Sequence, residues 1–248
     1  MKKIMLIAGG SDPAGSEIDG SEDSRYNRDH AFGNLLAKKL GYEPVNIAQN
    51  GATNPTIARS VLEWFKKNYD SNTMEVFVLV GWSESVRMEV PVDWPTWYEE
   101  SNPAADWFSE TSRDYLRINM GWKGSLEKEI PIIAYHQEFM ARNTTFLEIV
   151  SANLILQLQY FFKTMNVEYL MCNTLHMFTR DKHTEFYMSK IDQTRYIDFD
   201  NNDECFYWKY KNEGHENPKA KYWHHGEEPH RLYSEKLYEF VIKNYNVK

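Results

Sequence analysis

Residues 1–15 read MKKIMLIAGGSDPAG, and the reading of this stretch decides the fold. Five apolar residues, Ile4 to Ala8, run into Gly9-Gly10 and then into a short polar set led by Ser11 and Asp12. A secretory signal needs an apolar core of roughly 7–15 residues after its lysines. A shorter run stopped by two glycines reads instead as a buried strand ending in a tight turn. The expectation is a chain without a signal peptide, cytoplasmic at synthesis, with no segment long enough to span a membrane.

The same unit recurs outward from this strand. Arg28–Leu40 places Phe32, Leu35, Leu36 and Leu40 on one helical face and stops at Gly41. Pro44–Ala48 follows as a second strand with the turn QNGATN. Thr56–Tyr69 is an amphipathic helix, and Glu75–Val80 a third strand that ends at Gly81. Phe139–Met165 reads as one long helix with a break point near Asn143-Thr144, then Val167–Cys172 as a fourth strand. Tyr233–Tyr245 closes the chain as a helix with Leu237, Phe240 and Val241 facing in. Strands alternating with helices predict an α/β fold: a three-layer α/β/α sandwich around a parallel sheet, as one domain over residues 1–248. Residues 85–128, with Trp94, Trp97, Trp107 and Trp122, read as an aromatic-rich insertion of short helices after the third strand. Residues 179–222 read as polar and irregular.

The whole chain of 248 residues is large enough for one sizeable core. Lys+Arg 28 against Asp+Glu 36 gives a net charge of −8 with no basic stripe, which argues against a nucleic-acid partner. Two cysteines, Cys172 and Cys205, cannot make a disulfide framework and read as reduced thiols.

In an open α/β sheet, ligands bind beyond the carboxyl ends of the strands. Three strand ends deliver Gly9-Gly10-Ser11-Asp12, Asn50-Gly51-Ala52-Thr53 and Gly81-Trp82-Ser83-Glu84. A serine hydroxyl framed by glycine turns with exposed N–H groups offers a nucleophile beside an oxyanion site, which is what acyl transfer requires. The nucleophile needs a base, and histidine is the usual one. His215, His224, His225 and His230 cluster before the last helix. HHGEEPH could also hold a metal through imidazoles and Glu227 or Glu228, but it lacks a tight ligand spacing such as HExxH, and no metal is expected. Asp12 reads as a turn cap or a substrate contact. Arg87 reads as a surface ion pair or a clamp on an anionic group, and His176 as a minor contact. The tryptophans of the insertion read as its own small core or as platforms for sugar rings.

These blocks, in this order, resemble the SGNH/GDSL hydrolase superfamily. Gly9-Gly10-Ser11-Asp12-Pro13-Ala14-Gly15 resembles GDSxxxG, with Gly10 where that family has Asp. Gly51 in NIAQNGAT matches the second-block glycine. GWSE matches GxND with Gly81 kept and Ser83 in place of Asn. YWHHGEEPHRLYSEKL resembles the closing block and favours His224, which leaves Tyr222 or Lys221 where the family Asp would stand.

The resemblance implies a serine esterase without cofactor, acting on a carboxylic ester such as an O-acetyl group on a carbohydrate. Ser11 is then the nucleophile and His224 the base; Ser11, Gly51 and Ser83 form the oxyanion hole, and Asp12, Trp82, Arg87 and His225 contact substrate. Glu216, Glu227 and Asp203 are the loop carboxylates that could orient His224. The missing acid and Asn equally suit a non-catalytic relative that binds a glycan or a protein. The insertion and the HxxxxxH ending also resemble uncharacterised superfamily members of tailed bacteriophages, which implies a virion setting.

Overall fold

The computed structural model describes residues 1–91, 115–119, 131–175, 178–179 and 181–245. Its centre is a five-stranded parallel sheet built from β1 (Lys2–Gly9), β2 (Glu43–Asn46), β3 (Met74–Trp82), β6 (Glu168–Asn173) and β7 (Tyr196–Ile197), in the order β2-β1-β3-β6-β7. Between β2 and β3 runs α4 (Asn54–Asn68). The stretch from β3 to β6 carries an antiparallel hairpin of β4 (Arg87–Pro91) and β5 (Tyr115–Asn119), then α5 (Pro131–Arg142) and α6 (Thr144–Thr164).

Alternation along β1 splits the core into two layers. Ile4, Leu6 and Ala8 face one way, onto Ile57, Val61 and Phe65 of α4 and Ala152, Ile155 and Phe162 of α6. Met5 and Ile7 face the other way. There they meet Phe32 and Leu36 of α3 (Phe32–Lys39) and Leu237 and Val241 of the last helix. The result is the expected α/β/α sandwich. The strand order reverses between β1 and β3, so the crevice for a ligand lies beyond the carboxyl ends of that pair.

Several boundaries differ from the sequence expectation. The first helix is two, α2 (Arg25–His30) and α3, parted at Ala31, whose ψ of 141° is extended. The long helix breaks at Asn143, as expected, and its first half begins at Pro131. The polar stretch 179–222 holds α7 (Glu185–Met188), the two-residue edge strand β7 and α8 (Phe206–Asn212). The closing helix, α9 (Glu227–Asn244), starts six residues early because Glu227 and Glu228 favour a helix N-terminus. His230 therefore lies inside the helix, not before it. The described part of the insertion is the β4–β5 hairpin, not helix; Trp94, Trp97, Trp107, Trp122 and His176 lie outside the described residues. By length and composition α6 is apolar enough to cross a membrane, against expectation, and it packs in the core through Ala152, Ile155, Leu158 and Phe162.

Candidate active site

Sterics fix the turn after β1. Gly9 and Gly81 are paired across β1 and β3, and Pro13 sits over both. A Cβ on Gly9 would lie 2.4 Å from Pro13 Cγ, and one on Gly81 2.6 Å from the same atom. Gly9, the last residue of β1, and Gly81 beside it in β3 thus make the seat for a proline ring, and Pro13 holds the one-turn helix α1 (Ser11–Ala14) against the sheet. Gly15 closes α1 at φ +77°, a left-handed position where a Cβ would also meet the Asn27 carbonyl oxygen at 2.4 Å. Ser11 is thereby presented half-buried at the switch point of the sheet.

The other two strand ends come close to Gly10, the residue before Ser11. A Cβ on Gly10 would stand 3.8 Å from Ser83 Oγ and 3.9 Å from the Ala52 carbonyl oxygen. The turn Gln49–Ala52 is closed by Ala52 N–H donating to Gln49 O at 3.1 Å, with Gly51 at φ +68°. Ser16 Oγ donates to Asn50 Oδ1. From the hairpin, Arg117 donates to Asn50 O at 2.9 Å and to Gln49 Oε1 at 2.5 Å. Ser83 is held by Asn54: Ser83 N–H donates to Asn54 Oδ1 at 3.0 Å, and Asn54 Nδ2 donates to Ser83 O at 3.2 Å. Among the described residues, the N–H groups of Ser11 and Gly51 and the hydroxyls of Ser11 and Ser83 make no hydrogen bond.

The carboxylate that meets His224 comes from an unexpected place. Glu17 Oε2 accepts from His224 Nδ1 at 2.6 Å. Glu17 also accepts the backbone N–H of Lys221 at 2.8 Å and that of Tyr222 at 3.0 Å. Its side chain is 1% exposed, His224's 17%. Burial alone would raise the Glu17 pKa, but the hydrogen bonds from His224, Tyr222 and Lys221 outweigh it and hold the carboxylate below its ordinary range. Ser16 N–H donates to Ser11 O at 3.0 Å, so Glu17 and Ser11 share one compact turn. His224 is thus anchored to the segment that carries Ser11, with Nε2 left without a partner among the described residues. Glu216, Glu227 and Asp203 do not take the orienting role; Glu227 accepts from Tyr26 Oη at 2.7 Å instead.

The remaining assignments need correction. Trp82 lies in β3, fully buried in the core under α4 and α6, so its indole packs and does not meet a ligand. His225 is 3% exposed, with Nδ1 3.0 Å from His215 O and Nε2 2.9 Å from Tyr207 O. Both nitrogens face backbone carbonyls, so the ring is a structural tie. His230 is 1% exposed and accepts from Phe32 N–H at 3.2 Å through Nδ1. Burial, with His225 and His224 nearby, pushes its pKa down to about 3, so the ring is neutral.

Asp12 does not act as a side-chain cap. It is 4% exposed and raised in pKa by burial, an effect partly offset by His224, His225 and Arg87, and its carboxyl makes no hydrogen bond to a described residue. Arg87 is nearly buried and paired with Glu84 at 2.7 Å. No three His, Cys, Asp or Glu side chains converge as a metal cluster among the described residues. Cys172 and Cys205 are buried free thiols, their pKa values pushed up to about 12 by burial.

A family model matches residues 16–247, described as a family of unknown function, DUF6071. The chain belongs to the DUF6071 family. That match includes Glu17 and His224 and begins five residues after Ser11. No curated protein sequence matches this DUF6071 member. Among solved structures it is similar to the psychrotrophic esterase EstA from Pseudoalteromonas sp., at 12% identity over 97% of each chain with a TM-score of 0.40. It is similar to an acetyl xylan esterase, Est2A, from the rumen bacterium Butyrivibrio proteoclasticus, at 11% identity and a TM-score of 0.47, over 98% of this chain and 64% of that one. A member of the lipolytic G-D-S-L family from Veillonella parvula matches at 10% identity and a TM-score of 0.35, over 98% of this chain and 97% of that one. At TM-scores below 0.5 these likenesses say nothing about chemistry. The bacteriophage source finds no support in them.

Proposed function

We propose that this DUF6071 protein is a serine hydrolase of SGNH type that cleaves a carboxylic ester, with an O-acetyl group on a carbohydrate as the favoured class. The Glu17–His224 bond carries the reading, because it supplies the acid that the sequence blocks lack. Glu17 accepts from Nδ1–H, which fixes the tautomer that leaves Nε2 free to accept a proton and stabilises the imidazolium that then forms. Ser11 Oγ attacks the ester carbonyl as His224 Nε2 takes its proton. The N–H groups of Ser11 and Gly51 and the Ser83 hydroxyl receive the oxyanion. His224 returns the proton to the leaving alcohol, and water, activated by the same base, resolves the acyl-enzyme. No cofactor enters this scheme.

A second reading, a non-catalytic binding module, is favoured by one observation: Ser11 Oγ is not hydrogen-bonded to His224. Unliganded sites often hold this contact long and tighten it on binding, so the two readings part on reactivity. Intact-mass analysis after fluorophosphonate treatment decides between them. A single adduct on the wild type, absent from Ser11→Ala and slowed in His224→Ala and Glu17→Gln, supports the hydrolase. Folded wild type that forms no adduct removes it and leaves the binding module.

A further inference from the structure

The carboxylate of Glu17 gathers three donors from one short segment: the N–H groups of Lys221 and Tyr222 and the ring of His224. To bring all three to one group the chain must curl, and the residue between them absorbs the curl. Trp223 accordingly sits at φ +67°, a left-handed conformation that strains a bulky residue. The same curl turns its indole outward. Trp223 is 62% exposed although tryptophan is among the side chains that gain most from burial.

The indole is not loose. Its ring lies nearly parallel to the His224 imidazole, at 10° with centroids 5.9 Å apart, and the Tyr207 ring meets it at 74° and 5.3 Å. Tyr222 beside it is 42% exposed, with the Lys221 ammonium 4.7 Å from its ring centre. The two segments that meet here, the turn after Glu17 and the stretch before Tyr222, are polar at the surface: Asp19, Ser21, Lys219 and Lys221 are exposed. A strained, oriented and exposed aromatic face beside the candidate base is a feature that core packing does not explain.

We infer that Trp223, with Tyr222, is a stacking platform for the sugar ring that carries the ester, so the substrate class is an acylated pyranoside. A pyranose presents a flat C–H face to an indole and hydroxyls to the polar groups around it. A protein-docking patch would need a contiguous apolar area of several hundred Å², and a pair of aromatics in a polar surround does not make one. The inference rests on the hydrolase reading for the ester and on Trp223 alone for the ring.

The test uses Trp223→Gly, which removes the indole while glycine takes φ +67° without strain, so its thermal midpoint should stay at or above that of the wild type. Saturation-transfer NMR with unesterified xylotetraose and cellotetraose reads the ring without turnover. Transfer to either sugar in the wild type, lost in Trp223→Gly and kept in Trp223→Phe, is the expected result. On the esterase side, the ratio of kcat/KM for cellobiose octaacetate to that for ethyl acetate should fall about tenfold in Trp223→Gly. No transfer in the wild type, or equal transfer in Trp223→Gly, overturns the platform. A wild-type dimer dissolved by Trp223→Gly, without sugar transfer, overturns it in favour of a protein contact. A selective loss on phenyl benzoate overturns it in favour of an aromatic acyl group. If sugar transfer depends on Trp223 but no fluorophosphonate adduct forms, the hydrolase reading fails and the platform stands.

Discussion

The segment after β1 and the segment before α9 meet at the Glu17–His224 bond, and they are held in place by opposite means. The first is fixed by contact: Gly9 and Gly81 leave room for Pro13, and Gly15 turns where no side chain fits. The second is fixed by hydrogen bonds. His225 is tied between two carbonyls, Lys221 and Tyr222 donate to Glu17, and Asn217 Nδ2 donates to Glu17 O at 2.7 Å. Neighbouring histidines in the second segment therefore differ completely. His224 spends one nitrogen on a carboxylate and keeps the other, whereas His225 spends both on the backbone. What an imidazole can do here is decided by its partners and not by its place in the chain.

Substituting each neighbour alone tests that contrast most strongly. His224→Ala should slow fluorophosphonate labelling about 10⁴-fold or more, and Glu17 keeps its two backbone donors from Lys221 and Tyr222, so the variant should still fold. His225→Ala should leave the buried Tyr207 carbonyl without its imidazole contact, a loss of about 1–3 kcal/mol that denaturant titration reads directly, and its folded fraction should still label. Equal kinetic losses from both would erase the distinction drawn between them.

Glu17→Gln comes next. It keeps the volume but loses the charge and disturbs the tautomer, so ester turnover should drop about 10³–10⁴-fold. A drop smaller than about tenfold would mean that another group orients His224. Ser83→Ala should cost about 10²-fold in kcat with KM little changed, the usual range for one oxyanion donor; a change confined to KM would take Ser83 out of the oxyanion site.

A separate effect falls on stability against pH. Unfolded His230 takes a proton near its ordinary pKa of about 6.5, whereas the buried ring resists until about 3. Across that window the unfolded state binds more protons, so stability falls as pH drops, by up to about 1.4 kcal/mol per pH unit. His230→Gln can still accept from Phe32 N–H and should show a shallower slope between those values. An unchanged slope in urea titrations across that range would show that His230 is not the group responsible.

The contact-fixed half was legible in sequence because glycine and proline spell out their own geometry. An apolar run closed by Gly9-Gly10, with Pro13 and Gly15 following, leaves few alternatives. The break at Asn143 was legible for a similar reason, since Asn143, Thr144 and Thr145 in succession are poor helix formers. Glu17 was not. A carboxylate in a turn has no local signature, and its partner lies 207 residues away. Next to His224 in the chain, Tyr222 and Lys221 offer Glu17 only their backbone N–H groups. Trp82 misled because Gly81 looked like a strand end, whereas β3 runs one residue further and takes the indole into the core. β7 was missed because two residues, Tyr196 and Ile197, are too short to show a period.

Arg117 gives the hairpin a second meaning. It reaches from β5 back to the turn at Gln49 and Asn50, and so ties an appendage of the fold to the loop that carries Gly51. Appendages are where protein families vary most freely. A hairpin exchanged between relatives would bring its own brace for that loop, or none, and the two pieces would have to be inherited together.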